Sequence, residues 1–253
     1  MRLIFVFIAL CSLTGGLSAQ AQQFVSFDLA ATHSDLNAPA PRVEGALGAG
    51  FSLNYGVELP LTPFLNVRGG AGMGILQALQ NRIDPTERIE SNRQELRMHN
   101  VQYFLSTPVS LVWSLGANSP AYLTTGLRYQ YTFGQSTYGW DDELAAANGH
   151  GRDCPGDGQV ELDYADDVVF NRHQLHGELG VGFNAKPAAD NAPQLFYEFR
   201  MTRAFNNYVD AAGGAAPDAD GGVKNEPAPV VIDNDNFQAS RLWTFAATVG
   251  TRF

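Results

Sequence analysis

Eight stretches of this chain alternate large apolar side chains with small or polar ones at a period of two. The last shows it most plainly. Trp243, Phe245, Ala247, Val249, Thr251 and Phe253 share one parity; Thr244, Ala246, Thr248, Gly250 and Arg252 share the other. A strand projects successive side chains to opposite faces, so the pattern predicts a β-strand with one apolar face and one small, polar face. Residues 25–31, 47–57, 65–75, 101–113, 123–133, 175–183 and 195–201 repeat it. Most of these runs reach the roughly 9–11 residues that a tilted membrane-crossing strand needs. Pro108 falls inside the fourth run. Proline donates nothing to a ladder, so a bulge or a break is expected there.

The connections between runs alternate in length. Short ones lie at 60–62, 116–120 and 186–193, and long ones at about 33–43, 79–93, 134–171 and 207–236. Short turns at one end and long loops at the other mark a closed transmembrane barrel, whereas a soluble sandwich spaces its turns evenly. The expected fold is all-β: an eight-stranded antiparallel up-and-down barrel. Its short turns and both termini are expected on the periplasmic side, and its long loops outside. Within the third long loop, residues 160–164 alternate again, which predicts a β-hairpin extending the fifth and sixth strands.

Arg2, the apolar residues 3–13 and the small residues around Ala19-Gln20-Ala21 read as a cleaved secretory signal of residues 1–21. A barrel domain of residues 22–253 follows. No other stretch approaches 18 consecutive apolar residues, so no transmembrane helix is expected in it. Cys154 is the one cysteine outside the signal, which excludes a disulfide scaffold.

The net charge is −10. Residues 134–171 hold nine acids against Arg152, and residues 207–236 hold six against Lys224. The acidity belongs to two loops. Nucleic acid needs clustered Lys and Arg and is not an expected partner. Along the strands, parity sorts the charges: Asp28, Glu178 and Glu198 face inward with Arg68, Arg128 and Arg200. Three acids and three bases predict an interior charge network, whereas an Arg or Lys facing lipid at mid-membrane would cost about 2–4 kcal/mol. Arg203 and Arg241 fall on the outward parity near outer strand ends, where they can reach headgroups. Inward glycines such as Gly72 and Gly182 make room for Phe104, Tyr122, Phe196 and the arginines. Eight strands enclose only enough space for their own side chains, so a packed interior is expected over an open pore.

Catalytic chemistry finds no foothold. A lipid hydrolase would need His and Ser on one outward strand face. His173 is followed two positions on by Leu175, and His99 by Val101. No enzyme activity is expected. In the acidic loops, Asp218, Asp220, Asp233 and Asp235 supply hard oxygens that suit Ca²⁺, without the complete twelve-residue loop pattern. Their Ala/Gly/Pro/Asp-rich surroundings favour solvated loops, and no other cofactor is indicated.

The signal, the eight runs, the alternating connections and the terminal Phe253 resemble the small OmpA/OmpX-like outer-membrane β-barrel superfamily. The strand ending at Pro108, the run 109–115 and Tyr122-Leu123-Thr124-Thr125-Gly126 resemble the outer membrane protein beta-barrel domain family of Bacteroidota and their relatives. The resemblance implies a monomer in the outer membrane, surrounded by lipid and lipopolysaccharide. It also implies that the outer-membrane insertion machinery reads the terminal strand, with Phe253, Val249 and Phe245 as an assembly signal. That family includes adhesins and secretion components. The expected function is therefore non-enzymatic, a structural or surface-interaction role with acidic extracellular loops. The alternatives are a narrow pore or transport component, or a secretion or assembly accessory. The sequence does not identify an extracellular ligand.

Overall fold

The alternating runs form strands, and the strands form a cylinder. A computed structural model describes residues 21–36, 43–83, 94–116, 119–141, 159–160, 162–164, 168–185, 192–211, 230–232 and 240–253. Eight strands build the wall: β1 (Gln22–Leu36), β2 (Val43–Thr62), β3 (Leu65–Ile83), β4 (Gln94–Ser114), β5 (Ala121–Asp141), β6 (His173–Asn184), β7 (Gln194–Ala204) and β8 (Ser240–Arg252). Each pairs antiparallel with the next, and β1 closes on β8 with Phe27 opposite Val249. Closure removes the open edges that other chains could pair with. The seam runs past the last strand: Phe253 N–H donates to Gln23 O (3.0 Å), and Gln23 N–H donates to Phe253 O (3.2 Å).

The start of β1, the finish of β8 and the β2–β3, β4–β5 and β6–β7 connections share one end, called here the turn end. The other four connections share the loop end. The β2–β3 turn is Pro63–Phe64, just beyond the expected 60–62. Pairing continues through Pro60 opposite Asn66 and Thr62 opposite Leu65, with the irregularity taken up between them. Proline is tolerated at such a bulge.

Pro108 does not bulge. On the β5 side the register is unbroken through Thr107–Tyr129, Pro108–Arg128 and Val109–Leu127. On the β3 side pairing lapses between Gly69–Val109 and Gly72–Ser106 and resumes in the same register. Each residue in a ladder points its N–H at one neighbour only, so the missing donor interrupts one side. The irregularity in β5 sits instead beside Phe133, where Tyr103 faces Gly134 but Phe104 faces Thr132.

The wall is uneven. β4 and β5 are each 21 residues long, whereas β6 has 12 and β7 has 11. β6 meets β5 only as far as His173–Tyr131, and β5 runs on to Asp141. The expected hairpin at 160–164 is replaced by separate pairings. Gln159–Val160 pairs antiparallel with Gly139–Trp140 of β5, while Leu162–Tyr164 pairs in parallel with Val230–Ile232. Val168–Phe170 pairs with Val209–Ala211. The two loops pair with each other and each also meets the wall, Val160 opposite Gly139 of β5 and Val209 opposite Ser240 of β8.

Candidate functional site

Parity decides what the cylinder presents. Outward positions are apolar: Leu29, Leu53, Met73, Val109, Leu127, Leu179, Phe199 and Val249 are all exposed. Tyr55, Trp113, Phe183 and Phe253 are exposed towards the turn end, and Phe133 and Phe205 towards the loop end. Among the described side chains of the strands, the charged ones on the outer face are Asp35, Arg203 and Arg241, all near the loop end. An apolar band of this extent is a membrane or partner surface, not a water-facing one.

Inside, the half nearer the turn end holds eight buried charged side chains. They form one chain of alternating sign. Arg252 meets Glu58 (3.2 Å), Glu58 meets Arg68 (3.0 Å) and Arg68 meets Glu198 (2.8 Å). Glu198 meets Arg200 (3.3 Å), which bonds Asp28 and approaches Glu178 (3.7 Å). Glu178 ends the chain on Arg128 (2.9 Å). Hydroxyls fill further lone pairs. Ser52 and Thr248 donate to Asp28 (2.7 and 2.8 Å), Ser110 donates to Glu178 (3.1 Å) and Tyr122 donates to Glu198 (3.0 Å). Rings complete the seal: the Arg68 guanidinium lies 5.3–5.7 Å from Phe24, Tyr122 and Phe196, and that of Arg252 lies 4.5 Å from Phe196. Cation–π attraction is strongest where water is excluded.

All six residues expected in the interior charge network lie in this chain. The expectation of three acids and three bases was nevertheless short by one of each: Glu58 and Arg252 belong too. Both follow the inward parity. Glu58 lies just past residue 57, where the alternating run was cut off, although β2 keeps pairing there with Gln22 and Arg68. Arg252 shares its face with Thr248 and Gly250, beside the last residue.

Towards the loop end the lining changes character. The next inward residue above Arg128 is Gln130, above Glu178 is His176 and above Arg200 is Thr202, all buried. Gln102, Asn100 and Gln174 continue this neutral layer. Both ring nitrogens of His176, both amide atoms of Asn100 and the Gln130 Nε2 lack a hydrogen-bond partner among the described residues. Above them, Met98, Ala204, Tyr208 and Leu242 form an apolar cap. A cavity of about 30 Å³ lies between the charged and neutral layers, and one of about 10 Å³ lies within the charged layer. That is room for about one or two water molecules.

Glycines make this filling possible. A Cβ at Gly182 would run into the Tyr122 ring, one at Gly250 into Phe196, and one at Gly74 would stand 2.8 Å from Phe104 Cζ. Large interior side chains therefore lie over strand positions that have none.

Phe253, Val249 and Phe245 lie exposed on the outer face of the terminal segment. Asp218, Asp220, Asp233, Asp235, Cys154 and residues 1–20 lie outside the described residues. Among the described residues, no group of three or more His, Cys, Asp or Glu could hold a metal ion.

No family model matches the chain, so the likeness of residues 103–131 to the Bacteroidota-type family stays a resemblance. No curated protein matches it either. Among solved structures it is similar to Neisserial surface protein A, at 11% identity and a TM-score of 0.36, covering 91% of this chain and 97% of that one. It is similar to Ail, the attachment invasion locus protein of Yersinia pestis, at 11% identity and 0.37, covering 92% and 99%. It is also similar to the outer membrane protein OprG of Pseudomonas aeruginosa, at 12% identity and 0.35, covering 92% and 96%. At these scores the assignment as a closed eight-stranded antiparallel barrel rests on its own strand pairing.

Proposed function

We propose that this chain is an integral outer-membrane barrel with a non-enzymatic role, structural or surface-interacting, that presents acidic loops to the outside. One observation carries the reading: an apolar outer band encloses an interior filled by its own side chains and neutralised by its own charges. Such a cylinder is built to sit in a bilayer and to hold loops at its rim. Its role in this reading is neither conduction nor catalysis. In this reading lipid and lipopolysaccharide surround the wall. The insertion machinery reads Phe253 with Val249 and Phe245, and the loop end faces outward.

The test is deletion within residues 142–158 and 212–229. The trimmed protein is expected to reach the outer membrane and fold, while losing surface binding to host or neighbouring-cell material. Retention of that binding would overturn the surface role. Deleting Phe253 is expected to do the opposite, lowering membrane yield several-fold without altering what the remaining protein binds. Single-channel conductance in planar bilayers would favour a pore instead.

A further inference from the structure

The outer wall is not uniform. Across β5, β6, β7, β8 and β1 it carries an open apolar groove of about 710 Å³. Register explains its shape. Leu29, Ala247, Phe199, Val181 and Leu123 lie along one row of pairing. Ala247, the smallest of them, stands between Leu29 and Phe199, which are 59% and 62% exposed. Two large ridges with a one-carbon side chain between them make a channel.

A second feature lies directly above the channel, towards the loop end. The outward neighbours of Met201 and Phe245 are Arg203 and Trp243, paired with each other. One outward step along a strand is about 7 Å. The Arg203 guanidinium lies 4.8 Å from the Trp243 ring and donates to Asp35 (3.1 Å), which also accepts from Trp243 Nε1–H (3.3 Å). Arg241, one further step up, donates to Asn207 Oδ1 (3.4 Å). Among the described side chains Asp35 is the acid that meets this pair of arginines and offsets one of them, which leaves the group a net positive charge. Among the described strand side chains, Arg203 and Arg241 are the arginines of the outer face, and both stand over its groove.

We propose that this seam is a binding site for one phosphorylated acyl lipid of the outer leaflet, the lipid A portion of lipopolysaccharide. An acyl chain lies between Leu29 and Phe199 over Ala247, and a phosphate meets Arg203 and Arg241. Arginine suits that task, because its planar donors match phosphate oxygens in pairs. Asp35 and the Trp243 ring hold Arg203 pointing along the wall, so little side-chain freedom is lost when the phosphate arrives. The proposal rests on the outer-membrane reading above, since only that reading puts the loop end in the outer leaflet.

The test is native mass spectrometry on the full refolded chain in neutral detergent, titrated with diphosphorylated lipid A, dephosphorylated lipid A or phosphatidylglycerol. One diphosphorylated lipid A is expected to stay bound, with the dephosphorylated form held at least fivefold more weakly. The double variant R203Q/R241Q is expected to lose at least fivefold in occupancy. A247L, which fills the channel, is expected to lose a similar amount. Circular dichroism checks that each variant has folded; if A247L has not, the arginine variant decides alone. Unchanged occupancy in the arginine variant, or equal retention of the dephosphorylated lipid, would overturn the site. Tighter retention of phosphatidylglycerol would overturn the choice of lipid. Since the assay uses purified barrel in micelles, a negative result leaves the outer-membrane placement standing. Cell fractionation tests that placement separately.

Discussion

The two halves of the interior differ in charge, although both keep buried polar atoms without a hydrogen bond among the described residues, Asn54 Oδ1 and Thr124 Oγ1 nearer the turn end among them. Nearer the turn end, each of eight buried charges meets an opposite charge. Nearer the loop end the lining is neutral, and His176, Asn100 and Gln130 keep atoms without partners among the described residues. A buried charge left unpaired costs far more than a buried amide or imidazole left unpaired. Strict pairing of charges is therefore needed only in the lower half. The lower half should tolerate little change, and the upper half should tolerate apolar replacement.

The sharpest way to break this contrast is Glu198→Gln. Glu198 serves Arg68, Arg200 and Tyr122 at once. Its loss is expected to destabilise the barrel by about 3–5 kcal/mol in urea unfolding, because buried arginines lose a counter-charge. Gly182→Leu comes next. Its side chain must displace Tyr122, at an overpacking cost of about 1–3 kcal/mol. The exposed Arg203–Asp35 pair marks a milder level. Asp35→Asn is expected to shift the same unfolding curve by at most about 1 kcal/mol, the range of surface ion pairs. At the other extreme stands His176→Leu. Replacing a buried ring that has no hydrogen-bond partner among the described residues with an apolar side chain of similar bulk is expected to be neutral or slightly stabilising. A loss above about 2 kcal/mol there, as large as an orphaned donor or acceptor would cause, would show that the upper half is as strictly paired as the lower.

Much of this was legible in the chain, because period two is a local signal. The inward placement of Asp28, Arg68, Arg128, Glu178, Glu198 and Arg200 needs only parity, and the same parity holds for Glu58, one step past the second run, and for Arg252 on the polar face of the last. Partner choice is different. Arg68 and Glu198 are 130 positions apart, and their meeting depends on the stagger of strands that enclose them both. No local pattern records that stagger. The groove was hidden for the same reason: Leu29, Ala247 and Phe199 are unremarkable in their own strands and form a channel only when closure lines them up. Pro108 leaves its strand unbulged because a proline withholds one donor from one neighbour and leaves the other side paired.

The seam has a consequence for time. The bond from Thr248 to Asp28 spans 220 positions, whereas β2 and β3 are joined by a two-residue turn. Contacts across so long an intervening chain form slowly, since the closure entropy must be met before the pairing rewards it. Synthesis runs from the N-terminus, so Gln22–Leu36 is made before its partner Ser240–Arg252. Through that interval the first strand travels with one edge bare, a template for pairing with other chains. The topology thus leaves the outer edge of the opening strand unpaired until the closing strand arrives, so the last pairing to form is the one that seals the cylinder.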